Sequence, residues 1–202
     1  MTEPENPRVD GRSARRERNA DAVLEAVHDL FVETHELPTM EEVAARSGVS
    51  LRSVYRHFPD QRHMLLAALA RRVRAVEPDW QLTRLGRGSF DERLTTFVDH
   101  RFALYETSAP TFRAAYAART RVEEIARQID VRRRQIDEQA RRHFADDLRG
   151  RPATAVEEIL ACVEVLSGFE AMETLHVQRG LSPAASRRVV LRGLRAVLAP
   201  AR

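Results

Sequence analysis

The sequence predicts an all-α protein with two parts, an N-terminal three-helix head that contains a helix-turn-helix and a C-terminal helical body. Apolar residues recur with the helical period of 3.6 along most of the chain. Three Ser/Thr-x-x-Glu capping boxes, at Thr39, Ser89 and Thr154, mark helix starts. No stretch alternates apolar and polar residues as a half-buried strand does. At 202 residues, the chain is long enough for one large domain or two small ones.

The first helix is predicted from about Ser13 to His35, and Leu37-Pro38 breaks it. The Pro-, Glu- and Asn-rich residues 1–11 before it are expected to be disordered. The helix carries an apolar stripe and, on the opposite side, an acidic stripe that can face away from a ligand of the head. The apolar stripe consists of Val23, Leu24, Val27, Leu30 and Phe31, and the acidic one of Asp21, Glu25, Asp29 and Glu33.

The segment from Thr39 to Phe58 predicts two short helices joined by a tight turn. Thr39 and Glu42 form the capping box of the first helix. Gly48 can take the left-handed conformation that ends that helix, and Ser50 is a good N-cap for the second. These signals together predict a helix-turn-helix.

The second helix of this pair has an inner side around Val54. At 100° per residue, Arg52 and Arg56 then point outward, one turn apart, with Ser53 and Tyr55 on the flanks. Such a face suits the DNA major groove, because Arg binds guanine edges bidentately and Tyr and Ser can bond phosphates.

This segment closely resembles the tetracycline-repressor-like (TetR/AcrR) family of one-component regulators. Six residues match the family pattern residue for residue: Val49, Ser50, Val54, Tyr55, His57 and Phe58. The resemblance implies a DNA-binding domain over residues 12–60 and a ligand-binding and dimerisation domain over residues 61–202. The expected DNA-contacting residues are Thr39, Ser50, Leu51, Arg52, Ser53, Tyr55, Arg56 and His57. His57 is either a phosphate contact or a residue that packs the turn.

Downstream, a fourth helix is predicted to start at Asp60 and to end at Pro78, and in the family it links head and body. The family often has Lys where this chain has Gln61, so Arg62 is the alternative phosphate contact. Further helices are predicted over Ser89–Thr107, from Pro110 through Tyr116, over about Arg121–Leu148, from Thr154 to Gly180, and from Ser182-Pro183 to about Leu198.

The resemblance implies an effector pocket in the body, and the sequence offers candidate lining residues. Core packing is the alternative for each aromatic side chain. Arg101 lies in an apolar stripe, and a charge there needs a partner. It pairs with Glu164, pairs elsewhere, reaches solvent, or meets a ligand. The candidate lining residues are Phe97, Arg101, Tyr105, Phe112, Tyr116, Glu164 and Phe169.

The last two long helices resemble the pair through which family members meet a second copy in a four-helix interface. The expected interface residues are Val163, Leu166, Val190, Leu194 and Val197. The chain is therefore expected to be a homodimer.

Several function classes find no support in the sequence. It contains no G-x-S-x-G, P-loop, H-E-x-x-H or dinucleotide-binding glycine pattern and no Cys/His cluster with zinc spacing, so no enzyme, cofactor or metal site is predicted. The one cysteine, Cys162, is expected to be a small buried apolar residue. Residues 1–20 hold no apolar signal-peptide region, and the expected location is the cytoplasm.

These observations predict a ligand-responsive, DNA-binding transcriptional regulator, a repressor that a small-molecule effector releases from a palindromic operator. The alternative is a helical binding protein whose head contacts proteins rather than DNA. That alternative stays open because acidic residues outnumber arginine within residues 1–60.

Overall fold

The computed structural model describes the backbone of residues 7–76 and 80–199, and the side chains of these residues except 7–12 and 76. All regular elements in this part of the chain are helical, which confirms the all-α fold class. The chain divides into two compact units. The first runs to Ala75 and includes Arg113–Ala126, and the second comprises Val76–Phe112 and the chain from Arg127 onward. The expected boundary at residue 60 therefore lies inside the first unit.

The first unit begins with four helices, α1 (Pro7–Thr34), α2 (Met40–Ser47), α3 (Leu51–His57) and α4 (Gln61–Val76). Their buried apolar faces form one core, which includes Val23, Val27, Val43, Val54, Phe58, Met64 and Leu65. The predicted helix-turn-helix is thus present, and α4 shares its core.

The start of α1 differs from the expectation of a disordered segment over residues 1–11, since the helix already includes residues 7–11. Pro7 at the first position is compatible with this, because the first helical N–H has no partner inside a helix. Residues 1–6 lie outside the described residues, as does Pro78, the predicted end of the fourth helix.

The second unit starts its helical part with α5 (Phe90–Ala118), whose last turns belong to the first unit. The capping box is confirmed, since the Glu92 N–H donates to Ser89 Oγ at 3.3 Å and the Ser89 N–H donates to Glu92 Oε2 at 2.7 Å. The predicted break before Pro110 is wrong, because α5 continues through this residue. An interior proline costs about 3 kcal/mol. Ala109 and Ala115, on either side of it, are buried.

The remaining elements are α6 (Glu123–His143), α7 (Ala145–Leu148), α8 (Ala153–Ser167), α9 (Phe169–Glu173), a π-helical turn (Thr174–Gln178) and α10 (Pro183–Leu198). The N-cap of α8 is Pro152, whose side chain has no acceptor, so the capping box predicted at Thr154 is not formed. The single helix predicted from about Arg121 to Leu148 is divided at Phe144, between α6 and α7.

The helix predicted to run on to Gly180 is interrupted at Gly168, whose backbone is extended. A Cβ at this position would lie 2.8 Å from the Glu164 carbonyl oxygen, so a larger residue does not fit. The core of the second unit contains Leu94, Phe97, Phe144, Leu160, Val163, Met172, Val190, Leu194 and Leu198.

Candidate nucleic-acid interface and a buried polar cluster

The turn between α2 and α3 sets the direction in which α3 presents its outer face. Gly48 has φ +68°, the left-handed conformation that glycine adopts without steric cost. Val49 is buried beneath the turn, and Val54 and Phe58 anchor α3 in the core. Ser50 is the N-cap residue, but its side chain does not cap the helix. Ser50 Oγ instead hydrogen-bonds Ser53 Oγ at 3.1 Å.

The outer face of α3 carries Arg52, Tyr55 and Arg56, all exposed. Arg56 Nη2 donates to Ser53 Oγ at 3.3 Å. Among the described residues, no carboxylate forms an ion pair with Arg52 or Arg56. This face therefore offers two guanidinium groups, a phenol and a hydroxyl, the donor set that phosphates and guanine edges accept.

Acids of the acidic stripe of α1 form ion pairs with arginines that lie outside α3. Arg71 and Arg72 of α4 both pair with Glu25, and Arg46 of α2 pairs with Glu33 through two hydrogen bonds. The hydrogen bond from Arg71 holds the pKa of Glu25 below its usual value, against the opposite effect of burial. Glu25 and Glu33 of the acidic stripe are thus paired with arginines that lie outside α3.

His57, at the end of α3, is half-buried, and its Nε2 is buried without a partner in the described structure. Burial lowers the pKa of His57, and the charges of Arg56 and Arg16 add to that effect. Its ring lies 6.2 Å from that of Phe58. At neutral pH a neutral ring is expected, which favours turn packing over an ionic phosphate contact.

The remaining head residues have structural partners. The Thr39 side chain caps α2 with Glu42, as predicted, and it is exposed. Leu51 packs partly against the head core. Gln61 Nε2 donates to the Pro38 carbonyl at 2.9 Å, and Arg62 pairs with Glu124, so both residues already have partners within the first unit.

In the second unit, Arg101 is 8 % exposed and lies on α5 one turn before Tyr105. Its Nε donates to the Ser167 carbonyl at 3.0 Å, at the point where α8 is interrupted. No acidic side chain of the described residues forms an ion pair with it, and burial lowers the pKa of Arg101 to about 10. The pair with Glu164 considered from the sequence is not formed, because Glu164 is partly exposed and lies 3.8 Å from Arg133.

Six rings of the second unit follow one another in what we call the aromatic row. Its successive ring centroids are 5.6, 5.1, 5.9, 5.3 and 5.8 Å apart. The row consists, in order, of Trp80, Phe112, Phe169, Tyr105, His176 and Phe102. Tyr105, Phe112 and Phe169 were predicted from the sequence, and the fold brings them together.

Two other predicted lining residues lie elsewhere. Phe97 is a core residue in edge contact with Phe144 at 5.2 Å. Tyr116 belongs to the first unit, where the Arg119 guanidinium lies 4.7 Å from its ring centroid.

Sequence reasoning missed three polar residues at the row, Trp80, Ser108 and His176. Trp80 Nε1, Ser108 Oγ and His176 Nε2 are buried and have no hydrogen-bond partner in the described structure. Ser108 follows Arg101 by seven residues, a helical spacing that could have pointed to it. His176 and Trp80 lie far away in sequence, and only the fold brings them to α5.

The head geometry agrees with the comparisons with known proteins. Residues 36–68, which span α2, α3 and the start of α4, match the family model described as bacterial regulatory proteins, tetR family. Over these residues the chain is similar to that family, and it is TetR-like in this sense. No curated protein matches this sequence.

Three solved structures share the fold of the TetR-like chain at low sequence identity. A flavonoid-responsive regulator, FrrA, has 20% identity and a TM-score of 0.60, over 90% of this chain and 96% of its own. A Clostridium perfringens protein titled as a candidate fatty acid metabolism regulator has 14% identity and a TM-score of 0.60, over 90% and 98%. A TetR-family transcriptional regulator from Streptomyces coelicolor has 20% identity and a TM-score of 0.54, over 89% and 97%. Fold and matched region together support a DNA-binding regulator.

The dimer residues predicted for the TetR-like chain need correction. Val163, Val190 and Leu194 are at most 2% exposed within the single chain, so a second copy cannot reach them. Leu166 and Val197 are partly buried against the same core. The sequence pattern identified apolar faces correctly but could not tell which face meets the chain's own core.

Cys162 of the TetR-like chain is exposed, contrary to the expectation of a buried side chain. It lies on the outer side of α8 near Val165, which is 71% exposed.

Within the described residues, no group of three His, Cys, Asp or Glu side chains is arranged to hold a metal ion. None of the helices described has the length and hydropathy to cross a membrane.

Proposed function

We propose that this TetR-like chain is a ligand-responsive repressor that binds a palindromic duplex operator as a homodimer and leaves it when a small-molecule effector binds. The main observation behind this proposal is the outer face of α3. Its arginines have no carboxylate partner among the described residues, whereas Arg46, Arg71 and Arg72 elsewhere in the head are paired with acids. A regulator of this kind acts where the chromosome lies, in the cytoplasm.

The proposed homodimer uses the exposed sides of α8 and α10, which pack against each other in the single chain. Their close approach is seen at Gly193, where a Cβ would lie 3.2 Å from Leu166 Cδ1. The proposed dimer surface consists of Cys162 and Val165 on α8 and Val189 on α10. Val165 and Val189 are 71% and 48% exposed, and a second copy would remove this apolar surface from water.

Effector response is supported by the buried polar cluster of the second unit and by one fold neighbour whose title calls it flavonoid-responsive. The reading helices of a helix-turn-helix dimer must lie one DNA turn apart, roughly 34 Å, or a multiple of it. An effector that changes this spacing by a few ångströms prevents both helices from docking at once. Release therefore needs only a small rearrangement of the dimer.

DNA binding is tested by selecting duplexes from a random library with the purified chain, then measuring affinity by fluorescence anisotropy at several salt concentrations. A palindromic consensus is expected, with affinity that falls steeply as salt rises. Arg52→Ala and Arg56→Ala are each expected to lose about 1–3 kcal/mol of discrimination at one base position. Arg46→Ala, which removes a paired arginine outside α3, is the control and should keep the preference.

If no duplex is selected, or if both α3 variants keep the wild-type affinity and preference, the DNA-binding proposal fails. The head would then be a protein-interaction module, the rival considered from the sequence. Repression itself is tested with a reporter gene behind the selected operator, where loss of the chain should raise expression. A fall in expression would identify an activator instead.

Dimer formation is tested by sedimentation of Val165→Glu, which places a charge in the proposed dimer surface. Monomers with unchanged helical content are expected. Val131→Glu on α6 is the control, since Val131 is 43% exposed and lies outside this surface. A bifunctional maleimide should also join two copies through Cys162. A Val165→Glu dimer as stable as wild type would contradict the interface.

A further inference from the structure

The stripe of α5 that meets the aromatic row combines a buried charge with a buried hydroxyl. Arg101, Tyr105, Ser108 and Phe112 are spaced by four, three and four residues, so they share one side of the helix. Arg101 is 8% exposed and Ser108 is 1% exposed. A buried charge and a buried hydroxyl on an apolar helix face oppose folding unless they form hydrogen bonds.

The hydrogen bonds within the described residues leave this polar set incomplete. The Arg101 guanidinium, which has five N–H donors, makes one hydrogen bond, from Nε to the Ser167 carbonyl. Ser108 Oγ, Trp80 Nε1 and His176 Nε2 have no partner. The acid beside the row, Glu173, already accepts the hydroxyl hydrogen of Tyr105.

The chemistry of these groups selects the ligand's polar end. Guanidinium and indole N–H groups can only donate, and a hydroxyl or an imidazole N–H can donate as well. A matching ligand must therefore present acceptors. A carboxylate is the acceptor that fits a planar guanidinium, because two parallel N–H···O bonds form at once.

The aromatic row selects the ligand's other end. Phe112 and Phe169 stack with an interplanar angle of 22°, and Tyr105 and Trp80 adjoin them. Flat apolar groups pack well on such faces. From Arg101 to Ser108 the helix rises about 10 Å, which sets the reach of a molecule that touches both.

We propose that Arg101 and the aromatic row bind a small carboxylic acid with an aromatic body, with the carboxylate on Arg101 and the ring against Tyr105, one helical turn away. This inference rests on the proposed function only in calling the ligand the effector. Trp80 is the single tryptophan of the chain and part of the row, so its fluorescence reports on changes in the row.

The test uses the full chain and two matched probes, 3-phenylpropanoate and its neutral amide. Binding is followed by Trp80 fluorescence excited at 295 nm, where neither probe absorbs, and by the melting temperature. The carboxylate is expected to shift both signals and to bind roughly 10–100-fold more tightly than the amide, the ratio expected for hydrogen bonds to a charged group. Octanoate serves as an acid without an aromatic ring.

Variants test whether Arg101 causes the preference for the carboxylate over the amide. Arg101→Met should abolish the difference between acid and amide, while Arg101→Lys, which keeps the charge without the planar fork, should keep part of it. The control is Arg141→Met on α6, which removes a partly exposed arginine paired with Glu157 and should bind both probes as wild type does. If Arg101→Met does not fold, Arg101→Lys alone decides, since unchanged preference there contradicts bidentate recognition.

Three results would overturn the proposal. They are equal binding of acid and amide, no binding of either up to 10 mM, and an unchanged acid preference in Arg101→Met. Tighter binding of octanoate than of 3-phenylpropanoate would contradict the proposal that the ligand has an aromatic body. If the acid binds at Trp80 but does not release DNA, the effector role in the proposed function fails while this site stands.

Discussion

The head and the body of this chain treat their arginines differently. On α3, Arg52 and Arg56 have no carboxylate partner among the described residues, and both are exposed, so hydration satisfies them at no cost to folding. On α5, two arginines are buried. Arg93 is held by Asp147 through two hydrogen bonds of 3.1 and 2.6 Å and by the Gly88 carbonyl. Arg101 has only the Ser167 carbonyl.

The difference teaches where an unpaired charge carries functional information. An exposed unpaired arginine is ordinary, and its meaning comes from the helix that presents it. A buried one without an acid opposes folding, so its presence calls for a reason beyond stability. Arg93 and Arg101 lie eight residues apart on the same helix, which makes them an internal control for each other.

The largest effect is expected when the buried ion pair between Arg93 and Asp147 is removed. Arg93→Met leaves Asp147 buried without its partner and should reduce the free energy of unfolding by about 3–5 kcal/mol. The measurement is urea unfolding followed by circular dichroism. The double variant Arg93→Met/Asp147→Leu should recover most of the loss, because well-packed apolar residues can replace a buried ion pair. A single variant within about 1 kcal/mol of wild type would contradict the role of the pair.

Arg101→Met should act in the opposite direction. Below pH 10, arginine is charged in both the folded and the unfolded chain, and burial lowers the pKa of Arg101 to about 10 in the fold. That shift corresponds to a cost of about 3 kcal/mol at neutral pH, against which the bond to Ser167 contributes about 1 kcal/mol. In the same urea titration, Arg101→Met should be at least as stable as the wild-type protein. A loss above about 2 kcal/mol would reveal a partner for Arg101 and erase the contrast with Arg93.

A smaller, pH-dependent effect belongs to His143, beside Arg93. The Gly86 N–H donates to its Nδ1 at 3.0 Å, so Nδ1 must be unprotonated, and Nε2 bonds the Arg93 carbonyl at 2.9 Å. Burial lowers the pKa of His143, so the unfolded chain binds the proton more readily than the folded chain. The contribution of His143 to the free energy of unfolding is therefore fully present above about pH 6.5. It falls as the pH drops below that value, by at most about 1.4 kcal/mol per pH unit.

The variant His143→Gln can make both hydrogen bonds without titrating, so it should flatten the decline in stability between pH 6.5 and 5. His28→Gln serves as a comparison, because burial also lowers the pKa of His28. An unchanged slope in His143→Gln would show that other groups cause the decline.

The smallest expected effect concerns the head. Arg46→Ala removes the exposed pair with Glu33 and should lower the melting temperature slightly, a difference that high salt removes. Arg52→Ala, which breaks no ion pair, should leave the melting temperature unchanged at any salt concentration. If Arg52→Ala destabilises the head more than Arg46→Ala does, α3 contains a contact that the structure does not show.

Much of the head was predictable because its signals are local. The Thr39 capping box, the left-handed Gly48 and the exposure of Arg52, Tyr55 and Arg56 all follow from a few neighbouring residues. The errors in the body have one origin in common. Pro110 and Thr154 carry local signals for a break and a cap, and packing along α5 and the start of α8 at Pro152 overrode them.

By itself, the sequence determined the all-α class, the helix-turn-helix and the face of α3 that is free of acids, since helical periodicity and capping act over a few residues. Only the tertiary structure decided which apolar faces are internal. It placed Val163 and Leu194 in the chain's own core and left Val165 outside. It also decided that Arg101 lies beside a carbonyl rather than a carboxylate, and that Trp80 and His176 join the aromatic row. The physical reason is that periodicity defines a face, whereas a partner for that face is chosen by packing between residues far apart in sequence.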